Sequence, residues 1–127
     1  MGPLDKVSLR LLTLKDLDAV ASIDQSLLGL NRRGYWENKL ERAEGSGVPS
    51  LAAEVDGEVV GFILGKASGW EYGVPENVGW IDTLGVVEEW QGRGISQLLF
   101  NEMHTMFKKV GIDTIYVFVG LIRFFRA

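Results

Sequence analysis

Cysteine is absent from the 127 residues, which excludes a disulfide scaffold, a thiolate zinc site and a cysteine acyl-enzyme together. Any covalent chemistry must use another nucleophile. Histidine occurs once, at His104, with no companion at metal-ligand spacing, so no metal is expected. Long apolar runs are lacking too. Val59 to Gly65 and Ile115 to Ile122 are the longest, and a membrane-spanning helix needs about 20 such residues. Met1 to Arg10 holds neither the basic region nor the apolar stretch of a signal peptide. A soluble cytoplasmic protein with no membrane partner is the expectation. Positive charge is short as well, 13 Lys and Arg against 17 Asp and Glu for a net −4, so no basic field exists to hold nucleic acid.

What is present is an ordinary globular composition, 46% apolar and 24% charged, that can bury roughly two-thirds of its unfolded surface. No linker, repeat or low-complexity tract interrupts it, so residues 1–127 read as one domain. Glycine is plentiful at 16 residues, about twice the usual share, which directs attention to turns and to close backbone approach.

Val7 to Leu12 suits a first strand. Thr13-Leu14-Lys15-Asp16 reads as a capping box, opening a helix that runs to about Leu28 with Leu14, Leu17, Ala21 and Leu28 at helical spacing. Trp36, Leu40 and Ala43 give a second, weaker helix ended by Gly45-Ser46-Gly47. Leu51 to Val55 and Glu58 to Leu64 flank Asp56-Gly57, the two-residue signal of a type I′ hairpin. Lys66 to Asn77 reads as a loop carrying Trp70 and Tyr72, and Val78 to Val87 as the fourth strand. At about 100° per residue, Ile95, Leu98, Leu99, Met103, Met106, Phe107 and Val110 fall within about a 120° arc, a core-facing stripe on a long helix stopped by Gly111. Thr114 to Val119 reads as a fifth strand covered on both faces. An antiparallel half joined to a parallel strand-helix-strand crossover is an α+β fold.

The junction Val86 to Ser96 carries the chemistry. Gly92 and Gly94 sit between a strand and a helix, where the first helical amides have no intrahelical acceptor and the helix dipole favours an anion. A phosphate is the natural guest, and Arg93 can add a charge-assisted contact. A dinucleotide turn would need a third glycine where Gln97 stands. Glycines serving only a tight turn are the plainest alternative.

Gln91-Gly92-Arg93-Gly94-Ile95-Ser96, preceded by Leu84-Gly85-Val86, resembles the acyl-CoA signature of the GNAT family of N-acetyltransferases, Q/R-x-x-G-x-G/A after a strand ending in L-x-V. Ser96 stands in place of the last small residue and keeps its amide. Ser8 to Thr13 followed by Asp16 to Val20 is similar to the family's first strand and helix, and the Asp56-Gly57 hairpin to its second and third strands. The resemblance implies a mixed central sheet with helices on both faces. It implies acetyl-CoA as cosubstrate, in a gap where strands 4 and 5 splay. The backbone of Leu84 and Val86 would meet the pantetheine amides, and the amides of Gln91, Gly92, Arg93, Gly94, Ile95 and Ser96 the pyrophosphate. It further implies direct attack of a small-molecule or peptide amine on the thioester. A non-catalytic CoA-binding or interaction domain is the competing function.

Direct transfer asks for a base, and Asp82 on strand 4 is the best candidate, against a purely structural role as a cap; Glu54 is weaker. The tyrosine that often serves as acid in the family is replaced by Phe125. Tyr116 is a substitute for it or a core residue. Trp70 and Tyr72 line the acceptor entrance or cover the core. Arg32-Arg33 either attracts an acidic substrate or is a solvated pair, and His104 belongs to the surface. Val117-Phe118-Val119 lacks the Glu usual in bacterial ribosomal-protein acetyltransferases. Family domains normally continue past strand 5, so the chain reads as truncated there. Its open edge implies either a homodimer or further residues around Gly120 and beyond Ala127.

Overall fold

The computed structural model describes residues 6–45, 49–68, 78–112 and 114–117. Five strands form one sheet in the order β1-β2-β3-β4-β5: β1 Val7–Leu11, β2 Leu51–Val55, β3 Glu58–Ser68, β4 Val78–Val86 and β5 Thr114–Val117. The first four pair antiparallel, and β4 with β5 parallel, Val78 opposite Thr114 through Ile81 opposite Val117. Helices α1 (Leu17–Leu28) and α2 (Arg33–Gly45) pack on one face and α3 (Ile95–Lys109) on the other. This is the expected α+β arrangement.

Local chemistry explains the elements. Thr13 and Asp16 form the capping box, but it opens a short 3-10 turn, Leu14–Asp16, before α1 begins. Asp56 at φ 52° and Gly57 at φ 82° make the left-handed pair that the hairpin requires. On α2, Trp36 and Leu40 are one turn apart and fully buried. The Trp36 ring meets Phe62 edge-on with centroids 5.5 Å apart, anchoring an otherwise polar helix. On α3 the residues Ile95, Leu99, Met103 and Phe107 recur every fourth position and are all buried.

Several sequence expectations are corrected. Strand β3 runs to Ser68 rather than Leu64, because Lys66, Ala67 and Ser68 find partners in Trp80, Gly79 and Val78. Leu28 and Val110 are exposed, since each lies at a helix end beyond the reach of the sheet. Strand β5 is not covered on both faces: Thr114 and Tyr116 are exposed, and β5 is the edge of the sheet among the described residues.

One ion pair ties β1 to the capping turn. The Arg10 guanidinium donates to both Asp16 oxygens, at 2.9 and 2.7 Å, and the Thr13 amide donates to the same carboxylate at 2.9 Å. The Arg10 hydrogen bond holds the Asp16 carboxyl below its usual range, with burial opposing and the Thr13 amide assisting. A depressed folded pKa means the stabilisation is present above the unfolded value and is lost as pH falls through the folded one. Asp16→Asn should therefore cost about 1–2 kcal/mol at neutral pH, discounted because Arg10 is open to solvent. The variant's stability should fall less than the parent's below the ordinary carboxylate range. Urea unfolding along an acid series checks this; parallel curves for the two proteins would refute it.

Candidate functional site

After β4 the chain turns through extended Val87, a 3-10 turn at Glu88–Trp90 and extended Gln91. Gly92 (φ 76°) and Gly94 (φ 93°) then reverse it into α3. Both angles are left-handed, a region where a side chain is strained. The first helical bond is donated by Leu98 to the Gly94 carbonyl at 3.0 Å, and no side chain caps the helix. The amides of Ile95, Ser96 and Gln97 therefore lie in the orphan first turn at the positive end of the dipole. A Cβ built on Gly92 would meet nothing within 4 Å, so the turn faces open space. Ile95 is buried in the core and fixes the helix start. The Arg93 guanidinium lies 5.0 Å over the Trp90 ring and stays exposed beside the turn.

The strand leading into this turn pairs with β3 along one side. The Val87 amide donates to the Val60 carbonyl at 2.9 Å. Strand alternation then directs the main chain of Gly85 toward β3 and that of Leu84 and Val86 away from it. Past Ile81 opposite Val117, no strand among the described residues pairs with that side of β4. The Val86 carbonyl accepts from Gln91 Nε2 at 2.9 Å. Gln91 thus ties the glycine turn to the strand end with its side chain. Leu84 and Val86 are themselves buried.

Asp82 lies where the β3-β4 register shifts. Leu64 faces Thr83 and Gly65 faces Ile81, so Asp82 is the extra residue of a bulge, a geometry that re-aims a side chain. Its Oδ2 is 2.5 Å from Lys39 Nζ on α2. Burial works to discharge the Lys39 ammonium, but the hydrogen bond and charge of Asp82, with Tyr35 beside it, raise its pKa overall. The Tyr35 ring centre is 5.2 Å from Lys39 Nζ and 4.5 Å from the Arg32 guanidinium. Arg32 is in turn gripped by fully buried Asp24 through bonds of 2.9 and 2.7 Å. Trp80 precedes Ile81, which packs under α3, so Trp80 faces the α1-α2 side. There it meets its register partner Tyr116 at 5.0 Å between centroids.

The sequence-derived candidates sort as follows. Residues 91–96 lead from the end of β4, just past Leu84 and Val86, into α3, and Asp82 lies on the same strand. Glu54 is elsewhere: it pairs with Arg10 on β1, and β3 separates its strand from β4. Tyr116 is not core, being 42% exposed, because nothing described covers β5 on that side. Of Arg32-Arg33, Arg32 neutralises buried Asp24, whereas Arg33 is solvated at the surface beside exposed Asp18. His104 is on the surface. Trp70, Tyr72, Gly120 and Phe125 lie outside the described residues. Among the described residues no group of three or more His, Asp or Glu could hold a metal. Lys39, Tyr35 and the Gln91 side chain escaped the sequence reading. Their roles depend on how α2 and the turn lie against β4, and no local pattern encodes that.

Residues 17–127 match the family model described as "Acetyltransferase (GNAT) family". Comparison with curated proteins finds no match. Among solved structures, a ribosomal-protein-alanine N-acetyltransferase from Brucella melitensis biovar Abortus 2308 superposes with TM-score 0.69 at 24% identity, over 89% of this chain and 79% of that one. The aminoglycoside N-acetyltransferase AAC(6')-Iy in complex with CoA gives TM-score 0.74 at 14% identity, over 89% and 76%. A transcriptional regulator from Bacillus halodurans C-125 gives 0.74 at 16%, over 89% and 81%. At these identities the likeness is one of fold.

Proposed function

The chain belongs to the GNAT family of acetyltransferases, and from that premise we propose that it moves an acetyl group from acetyl-CoA to a primary amine by direct attack in a ternary complex. The observation that carries the proposal is the pair of left-handed glycines that opens the N-terminus of α3, which no side chain caps, at the end of β4. Such a turn suits a pyrophosphate, which the amides of residues 92–96 would receive, with Arg93 adding charge; the Gln91 amide, expected from the sequence to join them, already donates to the Glu88 carbonyl at 3.1 Å. The main chain of Leu84 and Val86, directed away from β3, would meet the two amides of a pantetheine arm. Bound acetyl-CoA supplies the thioester carbonyl and a thiol leaving group.

Asp82 is assigned as the base. Its carboxylate would take the proton of the incoming ammonium, directly or through one water; the amine's lone pair would then attack the carbonyl carbon, the C–S bond would break, and the second N–H proton would pass to the departing thiolate or to water as the amide forms. A thiol leaves readily as thiolate, its ordinary pKa being about 8.5, so the reaction does not depend on a tyrosine acid.

Calorimetric titration with CoA tests the first half of this reading. Binding of micromolar order is expected, in the range usual for a cosubstrate. Absence of saturable heat at millimolar CoA would contradict it.

A further inference from the structure

Lys39 holds the carboxylate proposed above as the base. Its Nζ lies 2.5 Å from Asp82 Oδ2 and 5.2 Å from the centre of the Tyr35 ring, so a carboxylate and an aromatic face already hold one alkylammonium group. The pair keeps a window to solvent, its side chains 24% and 19% exposed for Lys39 and Asp82. A solute can reach the carboxylate, and the flexible lysine stem can leave it. The nearby Arg32 does not compete for Asp82, because both of its bonds go to buried Asp24. Trp80 and Tyr116, on the α1-α2 face of the sheet, extend the aromatic surface along β4 and β5.

We propose that Lys39 is a resident counter-ion in the acceptor's seat, and that the acceptor is an unbranched aminoalkyl compound whose ammonium displaces Lys39 from Asp82. This rests on the assignment of Asp82 to the acceptor site. One ammonium replaces another of the same size on the same carboxylate, so the exchange strands no charge. A neutral or anionic compound in that place would leave Asp82 half-buried and unpaired. Two ammonium groups on one carboxylate would repel, so arrival of the acceptor and departure of Lys39 are a single event. The departure also frees Asp82 to serve as base at the moment an amine is present. Lys39 is thus a positioning and selectivity residue, and its occupancy lowers apparent acceptor affinity by the fraction of time the seat is closed.

The probe is n-butylammonium chloride, with n-butanol as its neutral counterpart. In the wild-type protein the Lys39 Cε and Nζ resonances should move saturably with n-butylammonium and not with n-butanol. Lys39→Met should bind n-butylammonium about tenfold more tightly than wild type, while Lys108→Met, an equal change of net charge on α3, should bind like wild type. Adding Asp82→Asn to Lys39→Met should abolish the gain. Equal affinities in Lys39→Met and Lys108→Met, or Lys39 resonances that stay fixed while n-butylammonium binds, would overturn the proposal. The resonance measurement needs no variant, so a poorly folding Lys39→Met does not spare it. Displacement of Lys39 without acetylation of any amine would uphold the seat and refute the acetyl-transfer reading. Acetylation with Lys39 unmoved would do the reverse.

Discussion

Asp82→Asn should slow acetyl transfer by about a hundredfold, the lower end for loss of a general base, while CoA binds as before. The two effects separate because Asp82 sits at the β4 bulge against Lys39 of α2, whereas residues 91–96 lie beyond the end of β4 at the start of α3. The loss should shrink as pH rises, since more of the acceptor is then already the free amine and less depends on a base. The asparagine variant also leaves Lys39 without its carboxylate, so a modest fall in stability accompanies the rate effect. Rate profiles across about pH 6 to 9, beside calorimetric CoA affinities, distinguish these contributions. An unchanged rate throughout that range would make Asp82 structural and leave deprotonation to bulk water.

Gly94→Glu should weaken CoA binding by at least a hundredfold, about 3 kcal/mol. Three effects act together. The left-handed φ of 93° strains any side chain, the new carbons fill the turn that faces open space, and the carboxylate sets like charge against a phosphate at the helix N-terminus. Gly94→Ala isolates the first two and should lose less. Circular dichroism separates a local effect from unfolding, because the α3 stripe from Ile95 to Phe107 remains to hold the helix. Unchanged affinity in a folded Gly94→Glu protein would remove the turn from the CoA site.

The sequence makes the glycine turn, the hairpin and the capping box legible because each is specified within a few residues. Asp56-Gly57 demands left-handed angles whatever surrounds it, and Thr13 finds Asp16 without help from the rest of the chain. The α3 stripe is legible for a similar reason, though Val110 shows that periodicity cannot tell where the sheet beneath a helix ends. Features set by packing between distant segments are not legible. Lys39 and Asp82 are brought together only when α2 packs on the sheet beside Phe62, and neither residue's neighbours signal the other. Tyr116 reads as core because β-branched and apolar residues flank it; its 42% exposure follows from the tertiary placement of β5, the edge strand among the described residues, which composition cannot reveal. Gln91 is conspicuous in sequence as part of a motif, yet its bond to the Val86 carbonyl needs the three-dimensional turn.

The chain has no cysteine, so free thiol appearing in a reaction mixture comes from CoA alone. Continuous detection of thiol release from acetyl-CoA in the presence of primary alkylamines is therefore the most direct measurement of the central claim. Amine-dependent release is expected, with one acetylated amine formed per thiol, and it should be depressed in both Asp82→Asn and Gly94→Glu. Release no faster than hydrolysis with every amine, by a protein that binds CoA, would contradict acetyl transfer and leave a CoA-binding domain.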